Sequence, residues 1–255
     1  MSLTQQLLTN KGVRWIAAGW TGFILENLVL SHNRADLIRL YGDDNYHMVY
    51  NILSTLACSS IGFGFFRYGK VGGAVLPRRG PAGQLLGLSL QALGLACLSQ
   101  LAPTLQVPVG MRSADDMARN DSAPSPAGKP AAAGADSRFF VRCPMDFRPK
   151  SSADGLNGMD RVTRHPALWA FGATALGSAV TTVYLPHAVM FSFPILFTYI
   201  GTSHQDYRHR RNNGGRLSPA TEAVTSNLPF QALLEGRQSW RALGEEVKWT
   251  NACVA

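Results

Sequence analysis

Acidic side chains are scarce in this chain, and so is the means to cross-link it. Cysteine occurs four times, at Cys58, Cys97, Cys143 and Cys253, with no CxxC pair. Two of the four stand inside apolar runs, so neither a disulfide framework nor a zinc-binding spacing is present. There is no Gly-rich phosphate loop, no GxSxG and no HExxH, which removes the usual signs of nucleotide hydrolases, serine hydrolases and zinc proteases. The 16 acidic residues are outnumbered by 24 basic ones, for a formal net charge of +8. That excess is not a helix stripe of the kind that binds nucleic acid. Lys11, Arg14, Arg67, Lys70, Arg78, Arg79, Arg161, Arg164, Arg208, Arg210 and Arg211 sit beside apolar runs, a placement that fits lipid headgroups. No secretory signal is expected, because the first apolar run starts near Val13, exceeds signal-peptide length and lacks a small-residue cleavage site.

What is present is membrane patterning. From Gly158 to Arg211 a basic lead-in, Arg161-Val-Thr-Arg164-His165-Pro166, opens two apolar runs, Ala167 to Thr182 and Leu185 to Gly201, and Arg208-His209-Arg210-Arg211 closes them. Each run approaches the about 20 residues that cross a bilayer core. Three earlier runs follow the same rule: Val13 to Ser31, Tyr46 to Phe66 and Ala82 to Ala102. The sequence therefore predicts an all-α fold, a polytopic membrane helix bundle of about five transmembrane helices. Four regions follow: an N-terminal three-span half over 1–112, an Ala/Pro/Ser-rich linker and interfacial segment over 113–157, a two-span segment over 158–211, and a surface tail over 212–255.

Within the spans, polar residues stand out. Glu26 and Asn27 interrupt the first span, where a carboxylate at that depth costs about 3 kcal/mol on insertion scales and is expected to face a partner. His32 to Asn45 reads as a polar linker, with Asp44 or Asn45 capping the second span. That span opens with His47, Tyr50, Asn51 and Ser54 on one helix face, a stripe that glues helices or carries a cofactor ligand. His165 falls at the mouth of the fourth span, with Thr163 as a possible cap and Pro166 suited to the first helical position. Arg161, Arg164 and His165 read either as headgroup anchors or, for His165, as a ligand or a donor to an anionic group. The Cys143-Pro144 dipeptide reads as an inert thiol. In the tail, Ser218-Pro219 and Asn227-Leu-Pro229 start short helices, and Trp240, Leu243 and Val247 share a face. These read as surface helices on a membrane or on a partner protein.

The run Gly158-Met-Asp-Arg-Val-Thr-Arg164-His165-Pro166-Ala-Leu-Trp169, followed by two spans and a basic end, resembles the NnrU family of membrane proteins, whose plant relatives include 15-cis-zeta-carotene isomerase. The likeness extends less sharply to Glu26–Arg34 and Tyr46–Gly64, and covers about two thirds of the chain. It implies a multi-span helical protein, and in the isomerase branch a haem b held by histidines. His165 carries across. Glu26-Asn27 and Gly177-Ser178 stand where that branch has further histidines, and Ser and Asn are poor ligands for haem iron. Two readings follow. One is a non-catalytic subunit of a larger organelle membrane complex, photosynthetic by the family's plant members, binding pigment or lipid, with Glu26, Asn27 and His47 as candidate ligands to chlorophyll magnesium and other membrane subunits as partners. The other is a haem-dependent carotenoid isomerase, with His165 and His47 as candidate ligands. A plastid thylakoid membrane is the expected location, and a mitochondrial inner membrane fits the same sequence.

Overall fold

A computed structural model describes residues 3–70, 75–105, 109–111, 139–141, 145–146 and 155–255. Most of the expected linker, Ser113 to Ser137, and the Cys143-Pro144 dipeptide lie outside the described residues. What is described is helical, apart from two small antiparallel ladders. β1 (Thr104–Leu105) pairs with β4 (Met145–Asp146), and β2 (Val109–Met111) pairs with β3 (Phe139–Val141).

A short α1 (Leu3–Thr9) leads into α2 (Lys11–His32), where the Asn10 side chain caps by accepting from the Val13 N–H at 3.0 Å. The expected polar linker after it is instead helical over α3 (Arg34–Tyr41). Asp36 in its first turn complements the positive helix end, and Gly42, at φ +85°, terminates it in a backbone conformation that side chains resist. The second long helix, α4 (Asp43–Gly64), starts at Asp43, ahead of the expected caps at Asp44 or Asn45. A π turn over Phe65–Gly69 prolongs it. Next come α5 (Pro81–Ser99), α6 (Pro166–Thr181) and α7 (Leu185–Arg210), the first two opened by proline where a missing N–H costs nothing. The chain ends in four short helices: α8 (Pro219–Val224), α9 (Gln231–Leu234), α10 (Trp240–Glu246) and α11 (Trp249–Val254).

The extensive helix contacts run in one order, α4 to α2 to α7 to α6 to α5, so the five long helices form a row. Its first half is joined by aromatic and aliphatic packing. Ile16, Trp20 and Ile61 are buried, with Phe23, Phe65, Phe193 and Phe197 against them, and Trp20 stacks on Phe193 at 6.2 Å. In the second half, glycine makes the contact. A Cβ at Gly87 would lie 3.0 Å from the Gly177 carbonyl oxygen, and one at Gly94 would lie 2.8 Å from the Ala170 carbonyl oxygen, so α5 and α6 touch backbone to backbone.

Among the described residues three helical stretches are long and apolar enough to cross a membrane: Asp43–Gly69, Pro81–Ser99 and Leu185–Arg210. Of the two other helices in the row, α2 carries Lys11, Arg14 and Glu26, and α6 has 16 residues. The C-terminal helices, expected to rest on a membrane or a partner, fold back on the chain itself. Leu233 of α9 and Leu243 of α10 bury Val162 between them, and Phe230 stacks on Trp240 at 6.2 Å.

Candidate functional site

The loop Gly158 to His165 is where the chain's polar chemistry is densest. Its 3₁₀ turn, Gly158–Arg161, is closed by a reciprocal capping box between Asn157 and Asp160. Burial pushes the Asp160 carboxyl up, and the Asn157 backbone N–H partly opposes it. Arg161 follows, buried, with its guanidinium clamped on Glu246 of α10: Nε donates at 2.8 Å to one carboxylate oxygen and Nη2 at 2.7 Å to the other. Nη1 donates to Gln238 at 2.7 Å. Thr163, 1% exposed, donates to the Asn227 carbonyl and accepts the His165 N–H at 3.2 Å.

Arg164 and His165 share one carboxylate. Arg164 Nη2 donates to Asp206 Oδ2 at 2.5 Å, and His165 Nε2 lies 2.8 Å from Asp206 Oδ1. Arg164 Nη1 also donates to Thr225 at 3.1 Å. All three members of this cluster are largely buried, and the carboxylate is compensated by two donors. Neither Arg161 nor Arg164 is a headgroup anchor. Each ties the start of α6 to a distant part of the chain. At the rim, Arg210 pairs with Glu222 and holds its carboxyl below the usual range.

A second polar seam joins α2 to α4. Ser54 Oγ donates to Glu26 Oε1 at 2.7 Å, and Tyr50 Oη donates to the Asn27 side-chain oxygen. Asn27 also donates back to the Phe23 carbonyl at 2.9 Å. Glu26 thus pairs with a hydroxyl, and its Oε2 is buried without a hydrogen-bond partner. His47, three residues before Tyr50, turns away from this seam. Its Nε2 lies 3.2 Å from Arg34 Nη2 and 3.5 Å from Asp43, with about half of the side chain exposed.

The four residues singled out in the sequence therefore belong to three places: Glu26 with Asn27 in the seam, His47 at the start of α4, and His165 at the mouth of α6. The His165 Nε2 is engaged by Asp206, and Gly177 and Ser178 are engaged in packing α6 on α5, with Gln91 Nε2 donating to Ser178 Oγ at 2.9 Å. Among the described residues no group of three or more His, Cys, Asp or Glu side chains is placed to hold a metal ion.

Two hollows flank the seam. One is an open groove of about 810 Å³ between α2 and α4, floored by Gly19, Gly22 and Ala57 with Lys11 and Arg14 at one end. The other, about 130 Å³, lies where α2, α4, α6 and α7 converge, and Asn27, Tyr50, His204 and Arg208 line it. Arg208 was read as part of the closing basic cluster, and His204 was not singled out by sequence pattern. Their signal was spacing, since i and i+4 on a long helix share a face.

No protein-family model matches the chain, and no curated protein or solved structure matches it significantly.

Proposed function

We propose that this chain is an integral membrane protein whose five long helices all cross the bilayer, and that it serves as a non-catalytic, NnrU-like subunit of a larger organelle membrane assembly, thylakoid in the first instance. One observation carries the reading. In the apolar windows of the α4 and α5 spans only 11% of residues are buried within the chain, although these are helices whose composition demands a nonaqueous environment. A row of helices leaves both faces to be covered by lipid or by neighbouring subunits. Leu25, Val29, Ile52, Leu56, Leu86 and Leu88 are among the apolar side chains left for that purpose.

The polar chemistry supports a structural role. His165, Asn27 and Glu26 Oε1 are used in contacts inside the chain, which is how membrane helices are commonly joined. Room for an extended apolar molecule exists in the α2–α4 groove, whose about 810 Å³ falls within the range of ligand sites. A carotenoid or a lipid tail is the ligand class that such a floor of small residues accepts.

The test is mild detergent extraction from the native membrane, a native gel, and an absorption spectrum of the band. The expected result is a particle much larger than 27.6 kDa, with chlorophyll and carotenoid bands and no haem absorption. A particle of single-chain size whose Soret band disappears in His165→Ala would instead establish the haem-dependent carotenoid isomerase.

A further inference from the structure

The small hollow at the convergence of α2, α4, α6 and α7 has polar and charged groups left over. Arg208 makes one hydrogen bond, Nη1 to the Asn213 carbonyl at 3.2 Å, while its Nε is buried with no partner. No carboxylate lies within salt-bridge distance of it among the described residues. One turn earlier, His204 Nε2 is also buried and unpartnered. Arg208 is half-buried, and a buried guanidinium N–H with no acceptor is costly, as is a second unpartnered ring nitrogen beside it.

A second arginine and a second imidazole stand close by. Gly214, at φ +76°, threads between two arginines: a Cβ there would stand 2.8 Å from Arg208 Nη1 and 3.1 Å from Arg34 Cδ. The His32 ring stacks on that of His204 at 5.7 Å. On the acidic side, Asp43 is shared by Arg34 and His47, at 3.7 and 3.5 Å, Asp206 is committed to Arg164 and His165, and Glu26 stands in the adjoining seam with its Oε1 accepting from Ser54. Arg208 and His204 thus bring unpartnered nitrogens to the wall of a cavity of about 130 Å³, which has room for a compact oxyanion and none for a porphyrin or a polyene.

We propose that this hollow binds a phosphate group, held by Arg208 and His204 with Tyr50 at its edge. It lies at the end of the row where α7 finishes in Arg208, Arg210 and Arg211, and its walls include Ile24, Leu28 and Phe197. That combination suits the phosphate of a phospholipid headgroup whose chains run down between the helices. Inorganic phosphate is the other source of the same chemistry. The lipid arm rests on the membrane reading above, and the phosphate arm does not.

The experiment uses the full chain purified in an uncharged detergent, with thermal unfolding followed as phosphatidylglycerol, phosphatidylcholine or inorganic phosphate is added. Stabilisation by phosphatidylglycerol well beyond phosphatidylcholine supports the lipid source, and stabilisation by inorganic phosphate alone supports the free anion. Arg208→Gln should weaken whichever is bound by about thirtyfold or more, the loss expected when one partner of a buried charge pair is removed. Arg211→Gln, on the exposed end of the same helix, should leave it unchanged. If Arg208→Gln does not fold, His204→Gln must weaken binding and Arg208→Lys must retain part of it. No response to either ligand, or an equal response in wild type and in these variants, overturns the proposal. Resistance of the wild-type chain to alkaline carbonate extraction is scored separately, so failure of the membrane reading and failure of the anion site give different results.

Discussion

Arg161 and Glu246 stand 85 positions apart in the chain and meet in a two-pronged ion pair, 2.7 and 2.8 Å between donor and acceptor. Only 6% of the arginine side chain remains exposed. The contact fastens α10 to the turn that starts α6, and with it the whole C-terminal segment to the end of the helix row.

Breaking that pair one partner at a time is expected to be costly. Arg161→Met or Glu246→Gln should each lower stability by about 3–5 kcal/mol, because the remaining group stays buried and uncompensated. The double replacement should cost less than the sum of the two. Thermal unfolding in detergent gives the coupling, and limited proteolysis shows release of residues 212–255 in the single variants.

Asp206→Asn removes the charge that Arg164 and His165 share. Unfolding should become easier by about 3 kcal/mol or more, while His165→Gln, which keeps a donor near Asp206, should be milder. Neither change should alter the visible absorption spectrum of the purified protein. A Soret band lost in His165→Gln but kept in Asp206→Asn would give the histidine a haem role and sink the structural one.

Gly177→Leu should separate α5 from α6. Its Cβ would collide with the Gly87 backbone and come within 2.7 Å of Gln91, and neither helix can retreat without losing the contact around Gly94 and Ala170. Overpacking of this kind costs about 1–3 kcal/mol or more. Cysteine cross-linking between the two helices, measured before and after the change, reads the separation directly. Gly62→Ala, with open space around its Cβ, is the matched control.

Tyr50→Phe deletes the donor to Asn27 in the α2–α4 seam. The expected loss is about 0.6–2 kcal/mol, the range for hydrogen bonds between membrane helices. A loss near zero in thermal unfolding would show that Asn27 finds another partner.

The Arg210–Glu222 pair predicts a small acid effect. Arg210 lowers the Glu222 carboxyl below its unfolded value, so the pair stabilises above about pH 4.3 and is lost as pH falls through the depressed folded value. Both side chains are more than a third exposed, so the effect is at most about 1 kcal/mol and salt should screen it. Glu222→Gln should remove that part of the acid dependence, as measured by proteolysis near Pro219.

Much of the architecture is legible because span composition is a local property. The run from Val13 to Ser31 became α2 within two residues at its start and one at its end, and Pro166 opens α6 as expected, although His165 and not Thr163 is its cap residue. The linker read at His32 to Asn45 failed because Leu37, Ile38 and Leu40 were outweighed by the charges around them, and α3 forms there. Arg161 and Arg164 were harder. A basic residue beside an apolar run looks the same whether it meets a headgroup or a carboxylate from far along the chain, and Asp206 and Glu246 lie 42 and 85 positions away. Glu26 was readable as needing a partner, but a serine on the next helix carries no charge signal. His204 escaped notice, and Arg208 was read only as a flanking charge, because their meaning lies in what they fail to contact.

The clasp between Arg161 and Glu246 also fixes an order of events during synthesis. Translation at about 5–20 residues per second takes roughly 4–17 s to cover the 85 positions between them. Throughout that interval α6 and α7 are already synthesised with the Arg161 guanidinium unmatched by Glu246. The nascent chain therefore carries a transient need for water, lipid phosphate or a chaperone at that arginine, and a stop codon before Glu246 makes the need permanent.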